Sequence, residues 1–329
     1  MESAQLSGFH ASVTERPARS IGTLYAIQVG SAIVLSAVSY LGAYEVFQAH
    51  RSAAGVQLID WLNGIVAQLG LAAARIGSHL VLTALIAAVL AGFAAICGAL
   101  AGPIQGKRLR LAQVARETLF GLLWLWSLSI STVLIGALIG TGLTRYYFRV
   151  EQYGVAYLLF SVVLAIVGWD AYFYFTHRLL HRDWFYRNFH AVHHLSTRPD
   201  IMTQFQVAPV EQLILAGYTA ILICVIPLHP CAQLTYATVS TVKSYLAHSG
   251  WEVFPAGTLR SRWWRFNTPV VHHDLHHQEY RYNFAFFFTW WDRWLGTESP
   301  RLRSEFERAK GCGTVSPVRQ VSSRAGVGS

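Results

Sequence analysis

GVAYLLFSVVLAIVGWDAYFYFT, residues 154–176, followed directly by HRLLH at 177–181, decides the fold. The first part holds one charged residue, Asp170, in a run longer than the roughly 20 residues that cross a bilayer. Working back towards the N-terminus, three similar apolar runs occupy approximately 21–47, 78–102 and 118–143. Working forward, residues 210–247 are also apolar but are broken by Pro227, His229 and Pro230, a pattern that predicts two short helices in a re-entrant hairpin. The composition agrees. Charged residues make up 13% and hydrophobic ones 53%, with a mean hydropathy of +0.35, whereas a soluble domain carries about 25% charge. Disorder, a disulfide scaffold and a collagen-like chain are excluded on the same grounds.

The basic residues set an orientation. Arg16 and Arg19 precede the first run, and Lys107, Arg108, Arg110 and Arg116 fill the loop between the second and third. The remaining loops offer only Arg51 with Arg75, and Arg145 with Arg149. The excess of Lys and Arg on cytoplasmic loops predicts an integral, multi-pass membrane protein with its N-terminus, its second loop and everything after Thr176 in the cytoplasm. The net charge is +9, but with three Lys and no nucleic-acid motif it suits anionic headgroups and speaks against nucleic acid. Cys97, Cys224, Cys231 and Cys312 form no CxxC pair and read as inert thiols. The expected architecture is all-α: about four transmembrane helices, the apolar hairpin, and a cytoplasmic-face helical cap. Residues 1–150 read as a membrane anchor with three spans, 151–299 as the catalytic domain and 300–329 as a flexible basic tail.

Eleven of the fourteen His lie between His177 and His277. His177 and His181 are four apart; His190, His193 and His194 form HxxHH; His272, His273, His276 and His277 form HHDLHH; His248 stands in LAHSG. On a helix, positions i, i+3 and i+4 share a face, so each box can aim two or three imidazoles at one point. His10, His50 and His79 stand alone and read as ordinary core or surface residues. Neutral imidazole is the commonest His ligand for metals. So many His exceed the needs of one tetrahedral zinc, and HRLLH has Arg178 where the zinc protease motif HExxH has its general base. Two metals with four or five His each account for the number, and iron suits a site beside a bilayer where dioxygen and C–H bonds are both available.

Asp170, Tyr174, His177 and His181 form one helical stripe. An acid at the end of an apolar span is a functional candidate, so Asp170 is expected to orient a ligand His or to pair with Arg178 or another Arg. Asp274, inside the last box, is expected to do the same. Downstream, YRYNFAFFFTWWDRWLGTE at 280–298 has the aromatic and Arg density of a membrane interface or of a lipid-pocket wall, with Phe284, Phe286, Phe287, Phe288, Trp290 and Trp291 as candidates.

HRLLH, HAVHH, LAHSG and TPVVHHDLHH followed by TWWDRWLGTE resemble the fatty acid hydroxylase/sterol desaturase superfamily, and most resemble its sterol 4-methyl oxidase branch. The resemblance covers about 168–299. It implies a mostly helical membrane oxygenase with a di-iron site at the cytoplasmic face, dioxygen as co-substrate and a lipid as substrate. Electrons would come from an external donor such as a ferredoxin or a b-type cytochrome with an NAD(P)H reductase. Carried over by position, the iron ligands would be His177, His181, His190, His193, His194, His248, His273, His276 and His277, with His272 as ligand or supporting residue. Asn283-Phe284-Ala285 and Trp294-Leu295 depart from the usual Asn-Tyr-Gly or Asn-Tyr-Ala and Leu-Phe or Ile-Phe of relatives, at the expected substrate wall. The first expectation is hydroxylation of a sterol-like lipid. A lipid desaturase and a fatty-acyl or carotenoid-type hydroxylase are the alternatives within the superfamily. A His-rich metal transporter is the rival of another class, but runs one to three hold only Glu45 and His79 as ionisable groups, where a transporter should spread them through several spans. A haem cytochrome needs far fewer His.

Overall fold

A computed structural model describes positions 28, 30, 34 and 104 and the continuous stretch 111–311. The second apolar run, the first run apart from positions 28, 30 and 34, and Arg16, Arg19, Lys107, Arg108 and Arg110 used for the orientation lie outside the described residues. Within them the chain is helical, with no named strand and two isolated bridges, Tyr146 to Leu228 and Asn267 to Phe288.

Helices α1 (Leu111–Gly140) and α2 (Gly154–Leu180) are the two helices among the described residues that are long and apolar enough to cross a membrane. Their surfaces support that reading. Only 22% of the apolar window of α2 is buried, and Val155, Leu159, Phe160, Val163 and Val167 form an outward stripe of hydrocarbon. Such a stripe is costly against water and favourable against lipid. α2 continues four residues beyond the apolar run read from the sequence, so His177 sits in its last turn and His181 at its C-cap.

The broken apolar region forms α4 (Pro209–Val225) and α5 (Pro230–His248), each opened by Pro in the first turn, where no N–H is needed. His229 Nδ1 caps α5 by accepting from Cys231 N at 3.1 Å. Both helices pack on α2. Ala165 and Trp169 of α2, Tyr218 and Leu222 of α4, and Tyr236 of α5 make the main core. Gly168 permits this approach, since a Cβ there would lie 2.6 Å from the Tyr218 hydroxyl.

Between these helices run α3 (Asp183–Asn188) and a 3-10 helix over His190–Leu195; after them come α6 (Val270–Glu279), α7 (Trp290–Trp294) and α8 (Leu302–Ala309). Two expectations change here. HAVHH is 3-10 rather than α-helical. The expected tail after residue 300 begins instead with α8, whose Leu302 and Phe306 are buried, Leu302 against Val270, Val271 and Leu275 of α6. Its apolar residues fall one turn apart between Arg and Glu, a spacing that the high charge of this stretch obscures in the sequence.

Candidate metal centre

Four elements converge at the C-terminal end of α2. α2 contributes His177 and His181, the 3-10 turn His190, His193 and His194, the end of α5 His248, and α6 His273, His276 and His277. Their donor nitrogens fall into two groups. His177, His181, His190, His194 and His276 form one, and His193, His248, His273 and His277 the other, with the donors of each group within 4.8 Å of one another.

The hydrogen bonds of the far ring nitrogens show what these groups can hold. Nδ1 of His177 lies 3.0 Å from Phe284 O, Nδ1 of His276 2.6 Å from Tyr282 O, and Nδ1 of His248 2.8 Å from Ser244 O. Nδ1 of His190 lies 2.9 Å from Glu211 Oε1. Carbonyl and carboxylate oxygens accept only, so in the uncharged rings Nδ1 carries the proton and Nε2 a bare lone pair. Yet His177 Nε2 and His190 Nε2 face each other at 3.2 Å. Two lone pairs cannot hydrogen-bond; a cation between them removes the conflict.

The remaining separations agree. His190 to His194 is 3.1 Å, His194 to His181 3.2 Å and His181 to His276 3.1 Å. In the second group His193 to His248 is 3.4 Å, His248 to His273 2.9 Å and His273 to His277 3.1 Å. Metal–imidazole bonds of about 2.1 Å, at angles between 90° and tetrahedral, put neighbouring donors about 3.0–3.4 Å apart. Burial, and after it the repulsion of neighbouring imidazoles, presses His181, His193, His194, His273, His276 and His277 well below the usual His range, which keeps these rings in the neutral form that binds metals. The residues fit a pair of metal ions held by imidazole.

Nine of the ten candidate His are thus brought together. His272 is not: it turns away, with Nε2 3.0 Å from Asp292 Oδ2 and both side chains fully buried. The hydrogen bonds of Asp170 among the described residues go to the aromatic segment and not to a His. Its Oδ1 accepts from Phe287 N at 2.6 Å and Phe288 N at 3.2 Å, and its Oδ2 from Trp290 Nε1 at 2.9 Å. It ties the aromatic segment to α2. Asp274 accepts from Gln278 Nε2 at 2.8 Å, one turn along α6. Asp170→Asn should therefore destabilise the protein by about 1.5–3 kcal/mol, because one N–H loses a charged acceptor. Metal per folded chain should stay at the wild-type level. Thermal unfolding beside metal analysis checks this; a loss of metal at unchanged stability would make Asp170 an orienting residue after all.

Two carboxylates that the sequence reading passed over matter more here. Glu211, in the first turn of α4, holds His190. Asp292 accepts from His272, from Phe284 N at 2.9 Å, from Ala285 N at 3.0 Å and from Thr297 Oγ1 at 2.8 Å. It thereby fixes the loop whose Tyr282 and Phe284 carbonyls hold His276 and His177. Asn283, in the left-handed region at φ 61°, makes the turn between them and donates to His272 O at 2.9 Å. The Phe284 ring lies 5.1–5.8 Å from His181, His276 and His177, and Phe173 4.9 Å from His177, an apolar wall beside the first group.

Comparison with known proteins adds to this geometry. The chain is 34% identical over 141 residues to human cholesterol 25-hydroxylase, covering 43% of this chain and 52% of that one. It is 35% identical over 129 residues to rat methylsterol monooxygenase 1, covering 39% and 43%. It is 32% identical over 146 residues to methylsterol monooxygenase erg25B of Aspergillus fumigatus, covering 43% and 48%. The chain thus spans about half the length of the curated relatives it matches. No solved structure matches it significantly. The fatty acid hydroxylase family model matches residues 162–297, a stretch that contains all nine converging His and both Glu211 and Asp292.

Proposed function

We propose that this protein is a membrane-bound di-iron oxygenase that hydroxylates a C–H bond of a lipid, with a sterol-like substrate first. The observation that carries the proposal is the gathering of imidazole nitrogens in two groups, with the bare lone pairs of His177 and His190 facing each other in the first, a donor set that suits iron. Similarity to sterol hydroxylases and monooxygenases supports the substrate class. His177, His181, His190, His194 and His276 would hold one iron, and His193, His248, His273 and His277 the other.

Bound iron supplies the activation of dioxygen and the oxidation of an unactivated carbon, which no side chain provides. The chain's own residues do the rest. Glu211 and the carbonyls of Ser244, Tyr282 and Phe284 hold four Nδ1 protons in place, so the opposite nitrogens stay available and aimed. Phe173 and Phe284 exclude water from one side of the first group and offer an apolar surface to a substrate arriving from the bilayer. Electrons come from an external donor, a ferredoxin or a b-type cytochrome with its reductase. Residues 1–150 serve as anchor and 151–299 as catalytic domain, with the site at the cytoplasmic face; reporter fusions after Gly102 and after Pro300 should both report cytoplasm, and an external signal at either point would overturn this orientation.

Membranes containing the protein, supplied with a reductase system and 18O-labelled dioxygen, should place label in a hydroxylated sterol. Label in a fatty-acyl or carotenoid-type lipid instead would keep the oxygenase and change its substrate. Lipid turnover independent of dioxygen and reductant would refute the reading.

A further inference from the structure

The loop TLRSRWWRF, residues 258–266, exposes two indoles: Trp263 is 79% and Trp264 62% exposed. Trp294 of α7 is 70% exposed. These are large apolar groups left outside the core, and they lie on segments clipped to each other. Thr289 N donates to Phe266 O at 2.7 Å, Arg293 Nη2 donates to Arg265 O at 2.8 Å, and the Arg293 guanidinium lies 5.5 Å from the centre of the Phe266 ring.

The same assembly is fastened to α2 at a defined depth. Trp290 Nε1 donates to Asp170, and the Trp291 ring lies 5.3 Å from Phe175, itself on the outward apolar surface of α2. Asp170 and Phe175 lie ten and five residues before the end of α2, about 15 and 8 Å along its axis. With 27 residues, α2 is about 40 Å long against a hydrocarbon core of about 30 Å. Its last turns therefore stand in the headgroup layer, and Trp291 and Trp294, which lie 5.5 Å apart, continue its lipid-facing surface sideways at that level.

Charge supports the same occupant. Residues 253–266 contain Arg260, Arg262 and Arg265 and no acidic residue. Arg260 is paired with Glu307 at 2.6 Å. Arg262 and Arg265 are exposed, and each lies over the aromatic ring that follows it, Trp263 at 5.7 Å and Phe266 at 4.9 Å. Indoles in the interfacial layer beside guanidinium groups make a surface for anionic headgroups.

We propose that the 258–266 loop and the exposed edge of α7 form a membrane seat that rests on anionic phospholipid headgroups, with Trp263, Trp264 and Trp294 in the interface and Arg262 and Arg265 against the phosphates. The proposal rests on α2 crossing the membrane and is independent of the oxygenase reading.

Hydrogen–deuterium exchange of the full chain tests it in three settings: detergent, nanodiscs of phosphatidylcholine alone, and nanodiscs that also contain phosphatidylglycerol. Amides of 258–266 should exchange more slowly in the anionic nanodiscs, by at least about tenfold relative to detergent, since two Arg near an anionic surface supply that much. High salt should reduce the difference. Arg262→Gln with Arg265→Gln should remove the dependence on phosphatidylglycerol, and Trp263→Ser with Trp264→Ser should remove the protection in both kinds of nanodisc. Equal exchange in all three settings would overturn the proposal. So would protection that appears only when a soluble acidic electron-transfer protein is added, because the surface would then belong to that partner.

Discussion

Asp292→Ala should yield a chain that is poorly folded and low in metal. The Asp292 carboxylate is fully buried and accepts from two backbone amides, one imidazole and one hydroxyl. Alanine leaves all four donors buried without that acceptor, at a cost of about 1–3 kcal/mol each. The total is comparable with the roughly 5–15 kcal/mol that holds a whole domain together. The damage also has a direction. Once Phe284 N and Ala285 N are released, the 282–285 loop no longer fixes the carbonyls that hold His276 and His177, so the first group of His should loosen before the second. Expression, thermal unfolding in detergent and metal content after gentle purification measure this. Asp292→Asn, which keeps one acceptor oxygen, should fall between the two. Wild-type stability and metal in the alanine variant would show that the loop is held by its other contacts.

His276→Ala and His193→Ala remove one donor from each group and should abolish lipid oxidation. The loss should exceed the 10–100-fold that follows from removing an outer partner of a metal ligand. Metal content separates the two variants from a simple folding failure. Each should retain about half of the wild-type metal, since the other group is intact, and the double variant should retain almost none. Full metal and full activity in both single variants would refute the site. Zinc replacing iron in overexpressed protein would leave the ligand argument standing, because the same imidazoles accept either ion.

How much of this was legible in the sequence depends on the range of the interaction. HRLLH places His177 and His181 one turn apart, and α2 presents them that way because a helix repeats regardless of what surrounds it. For HAVHH, the helical-face spacing aims all three imidazoles at one point. The segment is 3-10, with His190 and His194 turned to one group and His193 to the other. No local period reveals that division, which is set by what packs around the turn. In HHDLHH the four-residue spacing suits the placing of His273 and His277 in one group, but nothing in it separates His276 from them or turns His272 towards Asp292.

The carboxylates show the same limit. Asp170 stood out because a charge in an apolar span is costly, yet its partners are amides 117 and 118 residues further along the chain. Glu211 and Asp292 stood in plain view, one behind a Pro and one inside WWDRW, and neither has a neighbour in sequence that announces its partner. Their His lie 21 and 20 residues away. Aromatic residues around Asp292 drew the reading towards the membrane and away from the acid among them.

The two groups of His also bear on how the chain matures. His181 meets His276 across 95 residues, and His193 meets His248 across 55. Four of the five donors of the first group, His177, His181, His190 and His194, lie within residues 177–194 and await only His276, whereas the second group does not exist until the ends of α5 and α6 have docked on the 3-10 turn. A chain that docks without metal brings nine imidazoles together with nothing to screen their lone pairs. It would stay easy to reopen and exposed to proteolysis for as long as metal is scarce. Metal supply would then set how much of this protein a cell keeps, as well as how much of it works.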